Sequence, residues 1–436
     1  MPTLFAIAAT IPLLLNFAQA WWNPIQDPDL FWLLWAGRQM LAGHFPTVNT
    51  FSWTAPQTSW ILHEPLVALG YAVVGLEHVG LVRGVIVTVT AVLLTVLAWR
   101  KSNAWATVFA LCWGSLLVFY GTTERALSWG NLLLALLALL LYRVEVRRRW
   151  RMPAAAVLVA LWANVHGSFI IGILMVGIVS WAWGLLAAAL CLFNPSGIKL
   201  YSLIIGYGVG SNSQAFIHTA IPEWTAVDLT SPLGWVRVAC LLAAGYLLIR
   251  DHQWRFVVLW VLVGALALVH QRFFDILGIA LLPAVSNALA RRLPARDIRH
   301  PAPILATILL AIALFSPHAA VDEAEYPTPL LAHLPNNAKI WHEFSLGGWL
   351  GYHDHLCFWD SRNDCYPLTV LEDGLRIQSR GTGWSDTLSR WDVQGVMTLD
   401  CEKIKQLTAQ NWQEEARHGK FVLLMRPTVV DLPPKN

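Results

Sequence analysis

Charge is what this sequence has least of. Only 13% of its 436 residues are Asp, Glu, Lys or Arg, where an ordinary globular domain carries roughly a quarter. That shortfall excludes a chain made only of average soluble domains, and with the long apolar runs it points to a polytopic membrane protein. The formal net charge of +3 is too small to suggest nucleic acid, and no RNA- or DNA-binding signature occurs. Cysteine is sparse too: six residues and no Cys-x-x-Cys pair, which argues against a zinc site of that kind. Cys112, Cys191 and Cys240 lie in apolar runs, where a thiol behaves as a small hydrophobe. Cys357, Cys365 and Cys401 lie in the polar C-terminal part, and an oxidising compartment would permit a Cys357–Cys365 disulfide. Long internal repeats and low-complexity segments are absent, and so is the paired-repeat signature of many transporters.

What is abundant is apolar sequence, 56% of the chain, and tryptophan, 24 residues, whose indole favours membrane interfaces. Residues 4–20 form an apolar run ending Ala18-Gln19-Ala20. That ending resembles a signal-peptidase site, but Met-Pro-Thr supplies no basic n-region, so a retained first span is expected. Further spans are read at 81–99, 104–121, 126–142, 153–166, 234–250, 254–270, 272–290 and 302–318. Several fall short of the roughly 20 residues an untilted helix needs. Basic loops at Arg100-Lys101, Arg143–Arg151, Arg250–Arg255 and Arg291–Arg299 fall on one side if 66–78 is an interfacial helix. The positive-inside rule makes that side cytoplasmic. The 26 apolar residues of 168–193 must then hold two crossings, although 13 residues are too few for one.

The expected architecture is a polytopic α-helical membrane domain over residues 1–318, with about 10–11 spans, and a small α/β domain over 319–436. In the C-terminal domain, strands are predicted at Ile340–Phe344, Leu356–Trp359, Gly395–Leu399 and Phe421–Met425, and a helix at Cys401–Arg417 capped by Asp400.

Between the first span and residue 65 the chain breaks its apolar habit. Asp27-Pro28-Asp29 opens a Trp-rich helix, Leu30 to Leu41, which suits the interface plane of the first external loop. The acids read either as helix-start chemistry, with cap, first-turn proline and dipole complement, or as a carboxylate pair with one general base. His63-Glu64-Pro65 reads as a helix start or as a metal- or phosphate-facing group. Arg125, flanked by apolar runs, needs a partner: Glu124 beside it, or a phosphate. Asn164 and His166 close a span, as an inter-helix hydrogen bond or a cavity lining. Glu223 lies in the 194–232 loop, and His270, Arg272 and Asp275 form a further polar cluster that reads as structural. His353-Asp354-His355 reads as an exposed loop, and Asp360, Arg362 and Asp364 as a polar turn.

These residues, in this order, resemble the GT-C superfamily of polyprenyl-phosphate-dependent glycosyltransferases, closest to bacterial members with a small C-terminal extracytoplasmic domain. The likeness lies in Asp27-Pro28-Asp29-Leu30-Phe31-Trp32, Gly37-Arg38, Pro46 and Phe51-Ser52, then His63-Glu64-Pro65-Leu66, Trp162 to Ser168, Asn194-Pro195 and Glu223-Trp224. Gly347-Gly348-Trp349 and Asp360-Ser361-Arg362 extend it into the C-terminal domain. The resemblance implies inverting transfer of a sugar from a polyprenyl-phosphate carrier to a glycan, lipid or protein acceptor, at the periplasmic face of a bacterial inner membrane. It implies Asp27 or Asp29 as base, and Arg125 and His166, with Asn164 nearby, at the donor phosphate. His63, Glu64 and Glu223 would bind a divalent metal, magnesium or manganese, or position the leaving phosphate. The rival expectation is a GT-C-like scaffold that binds lipid-linked glycan without catalysis.

Overall fold

A computed structural model describes residues 1–118, 121–143, 148–209, 221–316, 320–335 and 337–427. The chain packs as two compact units. The first holds Met1–Ile25, Leu62–Val209 and the described part of Ile217–Ala320; the second holds Gln26–Ile61 and the described part of Val321–Asn436. The first loop thus groups with the C-terminal residues rather than with the helices it follows in sequence.

The first unit is all helical. Apolar runs become helices whose ends are set by local chemistry. Pro65, Pro232 and Pro301 each stand at a first helical position, where the missing N–H costs nothing. Asn103 Oδ1 accepts the Ala106 N–H at 2.9 Å and Ser231 Oγ accepts the Leu233 N–H at 3.3 Å, each satisfying a donor the helix cannot. Among the described residues three helices are long and apolar enough to cross a membrane: Pro2–Trp21, Leu76–Ala98 and Pro232–Arg250. Phe273–Ala280 and Leu282–Ala290, bent by 48° at their junction, make a fourth if taken as one span. Ala104–Leu117, Ala126–Tyr142, Trp254–Val269 and Pro301–Phe315 are apolar but shorter, at 14 to 17 residues.

Residues 168–193 are two helices of 11 residues each, Phe169–Val179 and Trp181–Cys191, parted by extended Ser180. At about 1.5 Å per residue each is shorter than a hydrocarbon core of about 30 Å; the two-helix path expected here is present as a short hairpin. Both of its ends meet the same place on the Arg148–Trp162 helix: a side chain at Gly172 would strike Val159, and Cys191 Sγ lies 3.7 Å from Val159 O. The two arms cross on bare backbone, since a Cβ on Gly184 would lie 2.6 Å from Gly177 Cα.

The second unit is built around the Asp29–Leu41 helix and a four-stranded sheet. Leu30 through Gly37 are buried without a break. The helix packs against Gly347–Tyr352, with Phe31 edge-on to Tyr326 and Tyr352, and Arg38 hydrogen-bonded to the Tyr352 hydroxyl. This corrects the interfacial reading: a helix apolar on every side belongs inside a core, and here protein covers it. The strands are β1 (Ile340–His342), β2 (Gly395–Thr398), β3 (Gln413–His418) and β4 (Phe421–Met425). Their order is β1-β2-β4-β3, parallel between β1 and β2 and antiparallel elsewhere. Asp400 caps Cys401–Ala409 by accepting from Glu402 and Lys403 N–H. That helix ends early, at Asn411 with φ 66°, and the charged stretch predicted to continue it is the edge strand β3. Residues 356–359 are loop rather than strand.

The Asp360–Arg362 turn is the centre of this unit, not a surface feature. Arg362 Nη2 and Nε lie 2.6 and 2.9 Å from the two Asp360 oxygens, and Nη2 also donates to Asn49 Oδ1 at 2.9 Å. Its guanidinium lies 3.9 Å from the Phe51 ring centroid and 4.8 Å from that of Trp60. The Tyr366 hydroxyl donates to Asp360 Oδ2 at 2.7 Å. Burial pushes the Asp360 carboxyl up, but the contacting guanidinium reverses this and holds it below the usual range. Cys357 and Cys365 are both free, buried thiols rather than a disulfide; Cys357 Sγ packs 3.8 Å from Asp360 Oδ2.

Candidate functional site

Arg125 stands on a turn that the first unit fixes from several directions. Gly121 N–H donates to Asp275 Oδ2 at 2.9 Å, and Asn131 Nδ2 reaches the same oxygen at 3.3 Å. A side chain at Gly121 would run into that Asn131 amide. The Tyr71 hydroxyl donates to Glu124 O at 2.6 Å. Glu124 itself turns away from Arg125 and pairs with Arg83 at 2.8 Å, both 2% exposed. Arg83 also donates to Ala20 O at 3.0 Å and to Asn23 O, so one guanidinium ties the end of the first helical stretch to the turn beside Arg125. Sequence reading passed over Arg83, although an arginine inside an apolar run is costly unless paired.

With Glu124 engaged, Arg125 meets Glu223 across 98 residues of sequence: Nη1 to Oε2, 2.8 Å. Arg272 meets the other oxygen, Nη1 to Oε1, 3.3 Å. Backbone bonds hold Glu223 there. Arg272 N–H donates to Glu223 O and Gln271 N–H to Thr225 O, each at 3.1 Å, and His270 Nδ1 lies 2.7 Å from Trp224 O. The Arg272 guanidinium lies over the Trp224 ring at 4.4 Å, and Trp224 stacks on Tyr207. The three side chains remain partly open, at 27% for Arg125, 15% for Arg272 and 11% for Glu223. Burial works against the Glu223 charge, yet Arg272 and then Arg125 outweigh it and hold the carboxyl below its usual range.

His166 Nε2 lies 3.4 Å from Arg272 Nη2, and its Nδ1 lies 2.7 Å from Ser168 Oγ. His63 Nε2 sits 3.3 Å from Glu64 Oε1, and the next turn is tied in by Leu66 N–H donating to Asn164 O at 3.0 Å. The Asn164 side chain bonds back to its own helix, Nδ2 to Ala160 O at 3.1 Å, rather than across to another as expected.

Arg125, His166, Glu223 and His63 are thus brought together, with Glu64 and Asn164 beside them. Arg272 and Trp224 belong to the same group, although the sequence marked Arg272 only as structural. His63, Glu64 and Glu223 form no metal-holding group among the described residues. Both Glu223 oxygens are spent on guanidiniums, and Glu64 faces His63. Two arginines at the centre would repel a dication, and among the described residues no group of three His, Cys, Asp or Glu could hold a metal. Asp27 and Asp29 lie in the second unit. Asp27 Oδ1 accepts the Asp29 N–H at 3.0 Å, and Asp29 Oδ1 accepts from Trp32 Nε1 at 3.3 Å.

Within the group two guanidiniums face the one Glu223 carboxylate. Guanidiniums present planar forks of donors that match carboxylate and phosphate oxygens.

No protein-family model and no curated protein matches this chain. Among solved structures it is similar to the archaeal oligosaccharyltransferase AglB from Archaeoglobus fulgidus, in complex with an inhibitory peptide and a dolichol-phosphate. The identity is 12% over 99% of this chain and 74% of that one, with a TM-score of 0.49. It is also similar to ArnT from Cupriavidus metallidurans in the apo state, at 12% identity over 97% of each chain and a TM-score of 0.47. The undecaprenyl-phosphate-bound ArnT matches at 13% identity and a TM-score of 0.44. Both neighbours are GT-C superfamily members, the superfamily whose motifs the sequence resembles.

Proposed function

We propose that Arg125 and Arg272 grip the phosphate of a polyprenyl-phosphate-linked sugar, and that the chain is a membrane glycosyltransferase. The observation that carries this reading is the convergence of two partly open guanidiniums on one carboxylate within a helical, largely apolar unit. A lipid-borne phosphate suits apolar surroundings, and the paired guanidinium forks suit its oxygens. As the acceptor oxygen attacks the anomeric carbon, the glycosidic C–O bond breaks and its electrons pass to the phosphate. Prepositioned guanidiniums stabilise that charge as it develops. The acceptor's proton goes to a carboxylate base, for which Asp27 and Asp29 are the candidates; the attack inverts the anomeric centre. No step requires a metal from this chain's residues.

The same reading puts the chain in a bacterial inner membrane as a multi-pass protein, with basic loops inside and the C-terminal residues outside. The carriers in the AglB and ArnT structures, dolichol-phosphate and undecaprenyl phosphate, are of the class proposed, but the proposal rests on the arginines. The test is binding of undecaprenyl phosphate and sugar transfer by purified variants. Arg125→Ala and Arg272→Ala should each weaken binding and transfer. Of Asp27→Asn and Asp29→Asn, one should lose about 10²–10⁴-fold in transfer while folding normally.

A second reading, a non-catalytic protein that binds lipid-linked glycan, is favoured by one observation: both acids are engaged at the start of their helix. It becomes the better reading if both Asn variants transfer at the wild-type rate. Unimpaired phosphate binding after loss of both arginines would remove both readings.

A further inference from the structure

We propose that the helical unit holds a second phosphate site, at the far end of the Ala126–Tyr142 helix from Arg125, and that its ligand is an anionic glycerophospholipid. The head-group phosphate rests on Arg100, Arg143 and His300, and an acyl chain lies in the groove beside Pro303, Ile304, Thr307 and Ile308. The inference rests on the membrane reading above, though not on sugar transfer, and adds a ligand that reading does not supply.

One helix separates the two sites. Arg125 is its N-cap and Arg143 its C-cap, with 17 residues between them, about 26 Å at about 1.5 Å per residue. At the Arg143 end the Trp99 carbonyl accepts from both arginines, Arg100 Nη1 at 2.8 Å and Arg143 Nη2 at 2.7 Å. Arg100 Nη2 also donates to Pro283 O at 2.6 Å, and Arg143 Nη2 to Val96 O at 3.1 Å. These acceptors are neutral backbone oxygens. Among the described residues no carboxylate pairs with Arg100, Arg143 or His300: Asp251 is held by Arg291 and Arg292, and Asp297 is exposed and in no ion pair with them. Glu145 lies outside the described residues.

The Trp99 ring lies against His300, centroids 4.3 Å apart. His300 Nδ1 accepts the Ala302 N–H at 3.2 Å, which leaves the ring proton on Nε2. Trp99 Nε1 and Arg100 Nε are buried donors with no acceptor among the described residues. Burial, and after it the nearby Arg143, lower the pKa of both Arg100 and His300. A phosphate among these groups takes the forked donors, supplies missing acceptors and relieves the crowding of positive charge.

The neighbouring surface makes that phosphate a lipid's. The Pro301–Phe315 helix starts at His300, and Pro303, Ile304, Thr307 and Ile308 line an open groove of about 310 Å³ on its first turns. Positions 300, 304 and 308 are spaced by four, so the cap and the groove share one stripe of the helix. Thr307 spends its hydroxyl on Pro303 O at 2.8 Å, which leaves the groove apolar. A soluble phosphate uses the donors alone; a glycerophospholipid uses donors and groove together. Basic pockets between helices on the side of the basic loops suit anionic head groups, and an indole such as that of Trp99 favours the same depth.

The experiment adds dioleoyl phosphatidylglycerol or dioleoyl phosphatidylcholine to the full chain purified in detergent and measures retained lipid by native mass spectrometry. The expected result is about tenfold stronger retention of phosphatidylglycerol, with the preference lost in an Arg100→Gln/Arg143→Gln double variant and kept in Arg125→Ala. Filling the groove with Ile304→Trp should weaken phosphatidylglycerol retention with both arginines intact, and excess glycerol 1-phosphate, the head-group chemistry without chains, should not displace the lipid. Equal retention of the two lipids overturns the inference, as does an unchanged preference in the double variant. Loss of the preference in Arg125→Ala overturns it too, because the lipid then belongs to the donor site. Displacement by glycerol 1-phosphate, or unchanged retention in Ile304→Trp, overturns the lipid assignment in favour of a soluble phosphate. Should the double variant fail to fold, Arg143→Gln alone decides by the same criterion. A chain that stays soluble without detergent removes the membrane reading itself; a chain that needs detergent and shows no preference removes only this inference.

Discussion

In the second unit, Arg362 and Asp360 face each other at 1% and 0% exposure, closed in by Asn49, Tyr366 and two aromatic rings. In the first, Arg125 and Arg272 divide one carboxylate and stay open to 27% and 15%. The closed centre has charges in equal number, and several of its polar atoms are taken by neighbours. The open one sets two guanidiniums on one carboxylate and leaves all three partly exposed. Burial and stoichiometry, not the presence of arginine, separate a group that holds a fold from a group that can hold a ligand. Arg83 and Glu124, equally buried at 2%, show that the first unit also contains a pair of the closed kind, one residue from Arg125.

The largest effect that would break this contrast lies in the closed centre. Removing one member of a buried pair strands the other, at a cost of about 3–5 kcal/mol. Asp360→Ala should therefore lower the unfolding midpoint sharply, as followed by tryptophan fluorescence. Arg272→Ala should cost under about 1 kcal/mol in the same measurement. If the two variants unfold alike, the open group is structural after all.

Next comes function. Arg125→Ala should reduce sugar transfer by about 10²–10³-fold with little change in the unfolding midpoint, whereas a variant destabilised at Asp360 should lose activity only in proportion to its folded fraction.

A third test uses acid. His342 is fully buried; its Nδ1 lies 2.9 Å from Glu343 O, and its Nε2 accepts the Phe358 N–H at 3.0 Å. That pattern needs the neutral ring, and burial lowers its pKa to about 4 from 6.5. Because the folded value lies below the unfolded one, the stabilisation is whole above about 6.5 and is lost as pH falls toward about 4, by roughly 3 kcal/mol. Unfolding of the second unit measured at pH 7 and pH 4.5 checks this, with His342→Gln as the variant that should flatten the dependence.

The smallest effect sits at a helix start. Asp400→Ala should cost about 1 kcal/mol, and Asp400→Asn much less, because Asn caps about as well. Loss of the Arg380 contact at 2.9 Å adds little at that exposure.

How much of this was legible depended on sequence distance. Short apolar runs gave β1, β2 and β4, and Asp400 gave the cap, because these signals are local. β3 was hidden: Gln413–His418 is charged and exposed as an edge strand is, and such a stretch reads equally well as a helix surface. The Trp-rich helix was visible as a helix, but what covers it was not, since Tyr326 and Tyr352 lie about 300 residues away. The same holds for Arg362, whose partner Asn49 is 313 positions distant, so it looked like a turn residue. Arg125 stood out because an arginine between apolar runs needs a partner. Its partner Glu223 was noticed separately, and no local rule could join them through Arg272.

The 169–191 hairpin has a consequence for how such a chain can change over time. Because its arms return to the level of Val159 from which they set out, the segment contributes an even count to the sidedness of everything after it. It can be lengthened, shortened or exchanged whole, and Arg272 and Glu223 still arrive on the face where they were. A single crossing between Glu223 and Arg272 would lack this freedom: if Pro232–Arg250 spans a membrane, its loss would part Arg272 from Glu223.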